Sequence, residues 1–295
     1  MFQGMGDPAR LIVGQSGDKQ TLENIRKELN LDKPKWQQFL YYLKDVSPVS
    51  VHTKEEIVAK QLQGIFIGGK YKLALKIPYF YKSYQTKKDT MGMIGDAFTG
   101  TLVLAITAML FACFFGILLG VLAAVKKGTW VDSATLFGSI SGISAPSFFM
   151  AILMAYVFGI VLHQYTGLPF TGSLMETDEV TGEKYLSLKN LILPAVTLGL
   201  RPMSIIVQLT RSSMLDVLQQ DYIRTAYAKG LSKTTIIFKH ALRNALNPVI
   251  TAVTGWFAEL LAGSFFIEYI FGWKGLGKLT VNALEKLDYP VVMGS

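Results

Sequence analysis

Residues 99–125 read TGTLVLAITAMLFACFFGILLGVLAAV, 27 residues without a charge. At about 1.5 Å of rise per residue, a helix of that length exceeds the roughly 30 Å hydrocarbon core of a bilayer. A second uncharged run, 133–162, is 30 residues long. Both read as transmembrane helices. Two less clean segments follow. Residues 191–212 are apolar up to Thr210 apart from Arg201-Pro202, and 247–271 are apolar except for Glu259 and Glu268. The expected architecture is therefore an all-α polytopic transmembrane helical bundle with spans at about 99–125, 133–162, 191–212 and 247–271.

Composition agrees. Of 295 residues, 51% are hydrophobic and 17% charged, against roughly 25% charged in a soluble domain. The net charge of +8 is not gathered into a basic stripe interleaved with aromatics. That pattern points to a membrane or partner surface and away from nucleic acid. The one cysteine, Cys113, lies inside the first run, so neither a disulfide framework nor a cysteine metal site is expected. His52, His163 and His240 have no mutual metal-ligand spacing.

Residues 1–98 are polar, with 15 Lys/Arg and 10 Asp/Glu. Apolar positions 22, 25 and 29 predict a helix over 21–31, and 36–43 reads as a second, amphipathic helix. Residues 48–90 read as irregular, an insertion. The connection 211–246 carries six Lys/Arg against Asp216 and Asp221, which alone points it inward by the positive-inside rule. Summed over both sides of the membrane, however, basic residues tie at eight each. Charge does not orient the chain. No apolar stretch before residue 99 accounts for export of the polar segment.

The connection has its own logic. In DYIRTAYAKGLSKTTIIFKHALRNALNP, 221–248, a helix through Lys229 ends at Gly230, which takes the left-handed conformation readily. Ser232 is a good N-cap for the next helix, and Pro248 suits the first turn of a span. The product is a basic helix–turn–helix knuckle at the membrane surface.

These residues resemble the "EAA" loop of ABC importer permeases, with Thr225-Ala226, three residues, then Gly230 in the family's places. DYIRTA…AKGLS and HALRNALNPV are similar to the dipeptide/oligopeptide and nickel branch. Arg224 stands for the family's glutamate, as is usual in that branch, and Tyr227 where arginine is common. Four more blocks fall in the same order: Gly6-Asp7-Pro8-Ala9; Asp32-Lys33-Pro34 with Gln38-Phe39-Leu40; Leu193-Pro194-Ala195 with Thr210-Arg211-Ser212-Ser213-Met214; and Glu268 to Gly277 with Asp288-Tyr289-Pro290.

What the resemblance implies is an ATP-driven importer subunit working by alternating access. It would lie in the bacterial plasma membrane as a multi-pass protein and do no covalent chemistry of its own. The partners implied are a second permease, two cytoplasmic ATPases that bind ATP and magnesium, and an external solute-binding protein. The ATPase would dock on Arg224, Thr225, Ala226, Ala228, Lys229, Gly230, Leu231 and Ser232. Family members have six spans, so the first and last would be missing from this chain, and 1–98 would lie outside the cell. A channel-like or structural membrane protein is the rival reading; an intramembrane hydrolase is another.

Two motifs invite enzymatic readings and fail. Gly272-Trp273-Lys274-Gly275-Leu276-Gly277-Lys278 lacks the Ser/Thr that a P-loop places after its lysine, since Leu279 stands there. Gly142-Ile143-Ser144 lacks the second glycine of a nucleophile elbow. Ser139, Ser141, Gly142, Ser144 and Pro146 fit a small-residue packing face or a bend better. Arg201 and Glu259 each fall near mid-membrane, where a charge costs roughly 2.5–3.5 kcal/mol. They are expected to pair, or to line the translocation path. Glu268, near a span end, is expected at the interface.

Overall fold

The computed structural model describes Glu23, Arg26, 32–178 and 181–295. The helix expected over 21–31 and the block at 6–9 fall outside these residues, Glu23 and Arg26 excepted. Helices dominate, as the all-α expectation has it, and the described residues divide into two compact units, 1–96 with 279–295 and 97–278.

In the first unit, helix α1 (Lys35–Val46) covers the amphipathic 36–43. The stretch read as irregular is ordered: β1 (Val49–Thr53), α2 (Lys54–Ala59), β2 (Gly64–Gly68) and β3 (Tyr71–Lys76) form an antiparallel sheet in the order β1-β3-β2. Thr53 and Glu56 close a reciprocal capping box at the start of α2, which satisfies two otherwise unpaired N–H groups. The register pairs Val49 with Leu75 and Val51 with Leu73 on one side, and Ile65 with Leu75 and Ile67 with Leu73 on the other. These six aliphatic side chains share a face and are 47–70% exposed. The opposite face carries His52 and Ala74, both fully buried. Strand periodicity is present here with its polar and apolar faces reversed, so it does not read as an ordinary half-buried sheet.

Inside this unit Asp45 is buried and binds Lys60 Nζ at 2.6 Å and the Tyr81 hydroxyl. His52 bridges the Ser50 hydroxyl (2.9 Å) and Glu56 (3.1 Å). Burial pushes its imidazole below the ordinary histidine range against the opposing pull of Glu56. Buried Asp288 accepts from the Ser83 hydroxyl at 2.5 Å and the Tyr84 N–H at 2.9 Å, fastening 279–295 to this unit.

The second unit holds the membrane segments. Among the described residues, two helices are long and apolar enough to cross a bilayer: α3 (Thr90–Val125) and, after the intervening elements, Lys189–Leu218. Between them lie α4 (Trp130–Ser144), α5 (Ser147–Tyr156) with a π-helical turn at Val157–Val161, α6 (His163–Thr166) and the hairpin β4 (Met175–Thr177) and β5 (Lys184–Leu186). The helix Lys189–Leu218 is α7. It is followed by α8 (Asp221–Ala228), α9 (Lys233–Thr235), a π-helical stretch Ile236–Ala241, α10 (Leu242–Ala245), α11 (Asn247–Gly263) and α12 (Phe265–Ile270); later in the chain come α13 (Leu276–Glu285), which begins at the end of this unit, and α14 (Tyr289–Gly294), which belongs to the first.

Two expected spans are not straight. The one at 133–162 bends by 110° between Trp130–Ser144 and Ser147–Val161. Pro146 is the reason: it offers no N–H to the ladder and drives Ala145 into the extended region (φ −77°, ψ 132°). The one at 247–271 is interrupted at Ser264, between α11 and α12. A second bend, 53°, separates Lys233–Ala245 from Asn247–Ala262. Four crossings result if each bent pair is one span.

α7 is the hub of this unit, with α4, α5, α11 and α12 all packed on it. Apolar transfer gives helices no reason to associate inside lipid, so close backbone approach matters more. The core shows it: Ala105, Ala108 and Ala112 of α3 and Ala151 and Ala155 of α5 are fully buried. Gly142 lies against Ser204, so the small-residue stretch 139–146 supplies both a packing face and a bend.

Candidate functional site

The knuckle after α7 forms as its residues dictate. Ile223 and Ala226 of α8 point into a core with Val121, Ala124, Met214, Ile236, Ala241 and Ala245. The helix ends in a Schellman motif. The Gly230 N–H donates to Tyr227 O at 2.9 Å and the Leu231 N–H to Ala226 O at 3.3 Å, with Gly230 at φ +75°. Ser232 Oγ then accepts from the Thr235 N–H at 3.3 Å and caps the following helix. Asn244 Nδ2 donates to the Tyr222 hydroxyl at 2.8 Å, tying α8 back to α10. Pro248 stands in the first turn of α11.

Of the eight residues singled out for docking, Arg224, Thr225, Ala228, Lys229, Gly230, Leu231 and Ser232 are exposed. Ala226 is buried and serves as the anchor. Tyr222, Tyr227 and Phe238 add exposed aromatic surface. Arg224 is 76% exposed and makes only a 3.3 Å ion pair with Asp221, one turn back, so its guanidinium stays available.

On the helix that leads into the knuckle, α7, lies a contact that sequence reading missed. Asp132, at the start of α4, takes both oxygens to Arg211 of α7: Oδ1 to Nε at 2.5 Å and Oδ2 to Nη2 at 2.8 Å. Oδ2 also accepts from the Gly128 N–H at 3.0 Å. This bidentate fork fixes orientation as well as charge, and it clamps the 126–129 turn to the end of α7. The available signal was weak: Asp132 is an isolated acid between two spans, and Arg211 is one of six basic residues in its connection. In a double-mutant cycle of Asp132→Asn and Arg211→Met, monitored by thermal unfolding in detergent, the coupling is expected at about 1–2 kcal/mol. Additive losses would show that the fork is not felt.

Deeper in the membrane segments, Arg201 and Glu259 line one cavity of about 80 Å³, with Gly142, Ser147, Thr197 and Trp256. Among the described residues they form no ion pair. Direct pairing, one of the two expected arrangements, is therefore absent among these residues. Arg201 instead places its guanidinium carbon 5.7 Å from the centre of the Trp256 ring, a cation–π distance. The cavity has room for several waters, so both charges can be solvated without neutralising one another.

Glu268, expected at the interface, does not face solvent. It is wholly buried, and its carboxyl accepts from the Ser264 hydroxyl (2.6 Å), the Thr101 hydroxyl (2.7 Å) and the Lys278 N–H (3.2 Å). Thr101 Oγ1 in turn accepts from the Leu276 N–H at 2.8 Å. Trp273 Nε1 donates to Gly100 O at 2.9 Å. The glycine-rich turn 272–277 is therefore a wrap around a buried acid, mounted on the start of α3's apolar run.

The family described as "Binding-protein-dependent transport system inner membrane component" matches residues 116–295. The glutathione transport system permease protein GsiC of Escherichia coli (strain K12) is 36% identical over 287 residues, 97% of this chain and 79% of that protein. GsiC of Shigella dysenteriae serotype 1 (strain Sd197) gives the same figures. Among solved structures, a chain of the MetNI methionine ABC transporter in inward facing conformations (CY5 native crystal form) is similar with a TM-score of 0.50 at 18% identity. That likeness covers 69% of this chain and 88% of that one, and it concerns the fold alone. By both family match and identity, the chain belongs to the binding-protein-dependent transport system inner membrane components.

Proposed function

We propose that this membrane subunit of an ATP-driven importer passes small peptides, glutathione among them, through a path lined by α4, α7 and α11. The chain works with an ATPase and a substrate-binding protein, as its family does. In our reading the ATPase seats on α8 and the Gly230 turn, on the cytoplasmic side of a bacterial inner membrane. A second permease completes the path, two ATPase subunits bind the ATP and magnesium, and the binding protein delivers substrate from outside.

The observation that carries this reading is the knuckle. It is capped on both sides of the Gly230 turn, anchored by Ile223 and Ala226, and it presents exposed basic and aromatic side chains. Such a surface suits a partner's groove. It also continues through α7 directly to Arg201, so a push on α8 reaches the cavity along one helix. For the path itself, Arg201 and Glu259 offer one charge of each sign at one cavity, which matches the two termini of a zwitterionic peptide.

The test is uptake in proteoliposomes holding the assembled transporter and its binding protein, with labelled glutathione and a labelled tripeptide. Arg201→Met and Glu259→Gln are each expected to lower the maximal rate about tenfold, equivalent to 1.4 kcal/mol, with the ATPase still bound. If either variant transports at the wild-type rate, that residue does not line the path.

A further inference from the structure

A second polar cavity lies at the far end of α7 from the knuckle, about 40 Å away along a 30-residue helix. Its volume is about 450 Å³, within the range of small-ligand sites, and its charged lining is Lys274, Lys278 and Glu176, with Asn190, Ser173 and Tyr185 beside them. We infer that this cavity is a receiving subsite for zwitterionic peptides, in which Lys274 and Lys278 take carboxylates and Glu176 takes the ammonium group. The inference rests on the peptide reading above and adds to it a place and a set of contacts.

Three features make it a built site. The first is rigidity. The floor is the 272–278 turn, held by Trp273 to Gly100, by Leu276 to Thr101 and by Lys278 N–H to buried Glu268. The wall is fastened to that floor, since the Gly172 N–H donates to Phe271 O at 2.9 Å. Groups held this way lose little freedom when a ligand arrives.

The second is unspent capacity. Among the described residues the Lys274 ammonium has no hydrogen bond or ion pair, and Lys274 is exposed. Lys278 Nζ donates one bond, to Gly272 O at 2.8 Å, leaving two of its three protons. Glu176 Oε1 accepts from the Ser173 N–H at 2.7 Å and from Asn190 Nδ2 at 3.1 Å. Those bonds orient the carboxylate, which still has room for an ammonium donor.

The third is stoichiometry. Two cations and one anion complement a ligand with two carboxylates and one ammonium; a simple peptide with one of each sets its carboxylate on Lys274, whose ammonium is otherwise unbonded among the described residues, and its ammonium on Glu176. A neutral or amidated ligand forfeits the cationic half.

The experiment uses the assembled permease–ATPase complex in nanodiscs without binding protein, so that the partner's own selectivity is absent. Equilibrium binding of triglycine, triglycine amide and glutathione is measured directly. The intact complex is expected to prefer free triglycine to its amide by about fivefold, the upper range for one solvent-exposed ion contact. Lys274→Met, at an exposed residue with no structural bond, is expected to erase that preference. Glu176→Gln, which keeps the acceptor for Ser173 and Asn190, is expected to weaken all three peptides while leaving the preference intact. Equal binding of triglycine and its amide by the wild type overturns the subsite, as does an unchanged preference in Lys274→Met. Uptake with binding protein present, run in parallel, tests the other reading: wild-type complex that transports neither glutathione nor triglycine overturns peptide import whatever the binding arm shows.

Discussion

Gly275→Ala is expected to destabilise the protein by about 3 kcal/mol or more, far beyond the usual glycine-to-alanine change. A Cβ at 275 would lie 2.5 Å from the carboxyl carbon and both oxygens of Glu268. A carboxyl at the end of a flexible side chain ordinarily steps aside. Here it cannot do so cheaply, because it is buried and holds three donors, Ser264, Thr101 and the Lys278 N–H. Each buried donor left without its acceptor costs about 1–3 kcal/mol. Retreat of the turn instead is blocked by Trp273, itself fully buried, and by the close approach of Lys274 O to Gly100. The collision between the two residues sets the sign of a double-mutant cycle. Glu268→Ala alone should also be strongly destabilising, but it removes the atoms that Gly275→Ala collides with. The double variant should therefore be less damaged than the sum of the two, by more than 1 kcal/mol. Thermal unfolding in detergent of the four proteins checks it, and strict additivity would sink the idea that the glycine exists to admit the acid.

That pair also marks where sequence reading stops. The uncharged runs at 99–125 and 133–162, the stop at Gly230 and the cap at Ser232 were legible because each rests on local chemistry: length without charge, a left-handed turn, a hydroxyl before a helix. Pro146 gave its bend by the same kind of rule. Glu268 was not legible. From its position near a span end an acid belongs at the interface, and its three donors come from residues 4, 10 and 167 positions away. Nothing local distinguishes a carboxyl that will meet water from one that will be wrapped. The Asp132–Arg211 fork, 79 positions apart, fails to show for the same reason. The sheet at 49–76 was missed on different grounds. Its alternation is clean, but aliphatics face outward and His52 faces inward, so a reader looking for an apolar core face finds it on the wrong side. Arg201 and Glu259 fall between these cases: their depth implied a common environment, while the contact each makes, Arg201 over Trp256 rather than over Glu259, depended on geometry that spacing does not carry.

Gly230→Val is expected to lower coupled transport by more than tenfold while moving the unfolding midpoint little, and the contrast between those two readouts is the point. At φ +75° a β-branched residue is strained by about 1–2 kcal/mol. That is small beside the packing of α8, whose Ile223 and Ala226 remain buried. No neighbour lies within 4 Å of a Cβ at this position, so the substitution acts on the backbone alone, with no steric clash to blame. The chain relieves the strain by leaving the left-handed region. It then gives up the Gly230-to-Tyr227 and Leu231-to-Ala226 bonds, and the angle between α8 and the helix capped by Ser232 changes. A partner ATPase seated on exposed Arg224, Lys229 and Leu231 would meet those side chains in the wrong directions. Gly230→Asn is the control, because asparagine tolerates the left-handed conformation; it is expected to keep transport within about threefold. The measurements are substrate-stimulated ATP hydrolysis and uptake by the reconstituted complex, with ATPase retention on affinity-purified permease as a third readout. If the valine variant transports like wild type, the turn at Gly230 does not transmit the ATPase stroke. If valine and asparagine fail equally, the effect lies in the added side chain at the docking surface, and the backbone argument falls while the docking site stands.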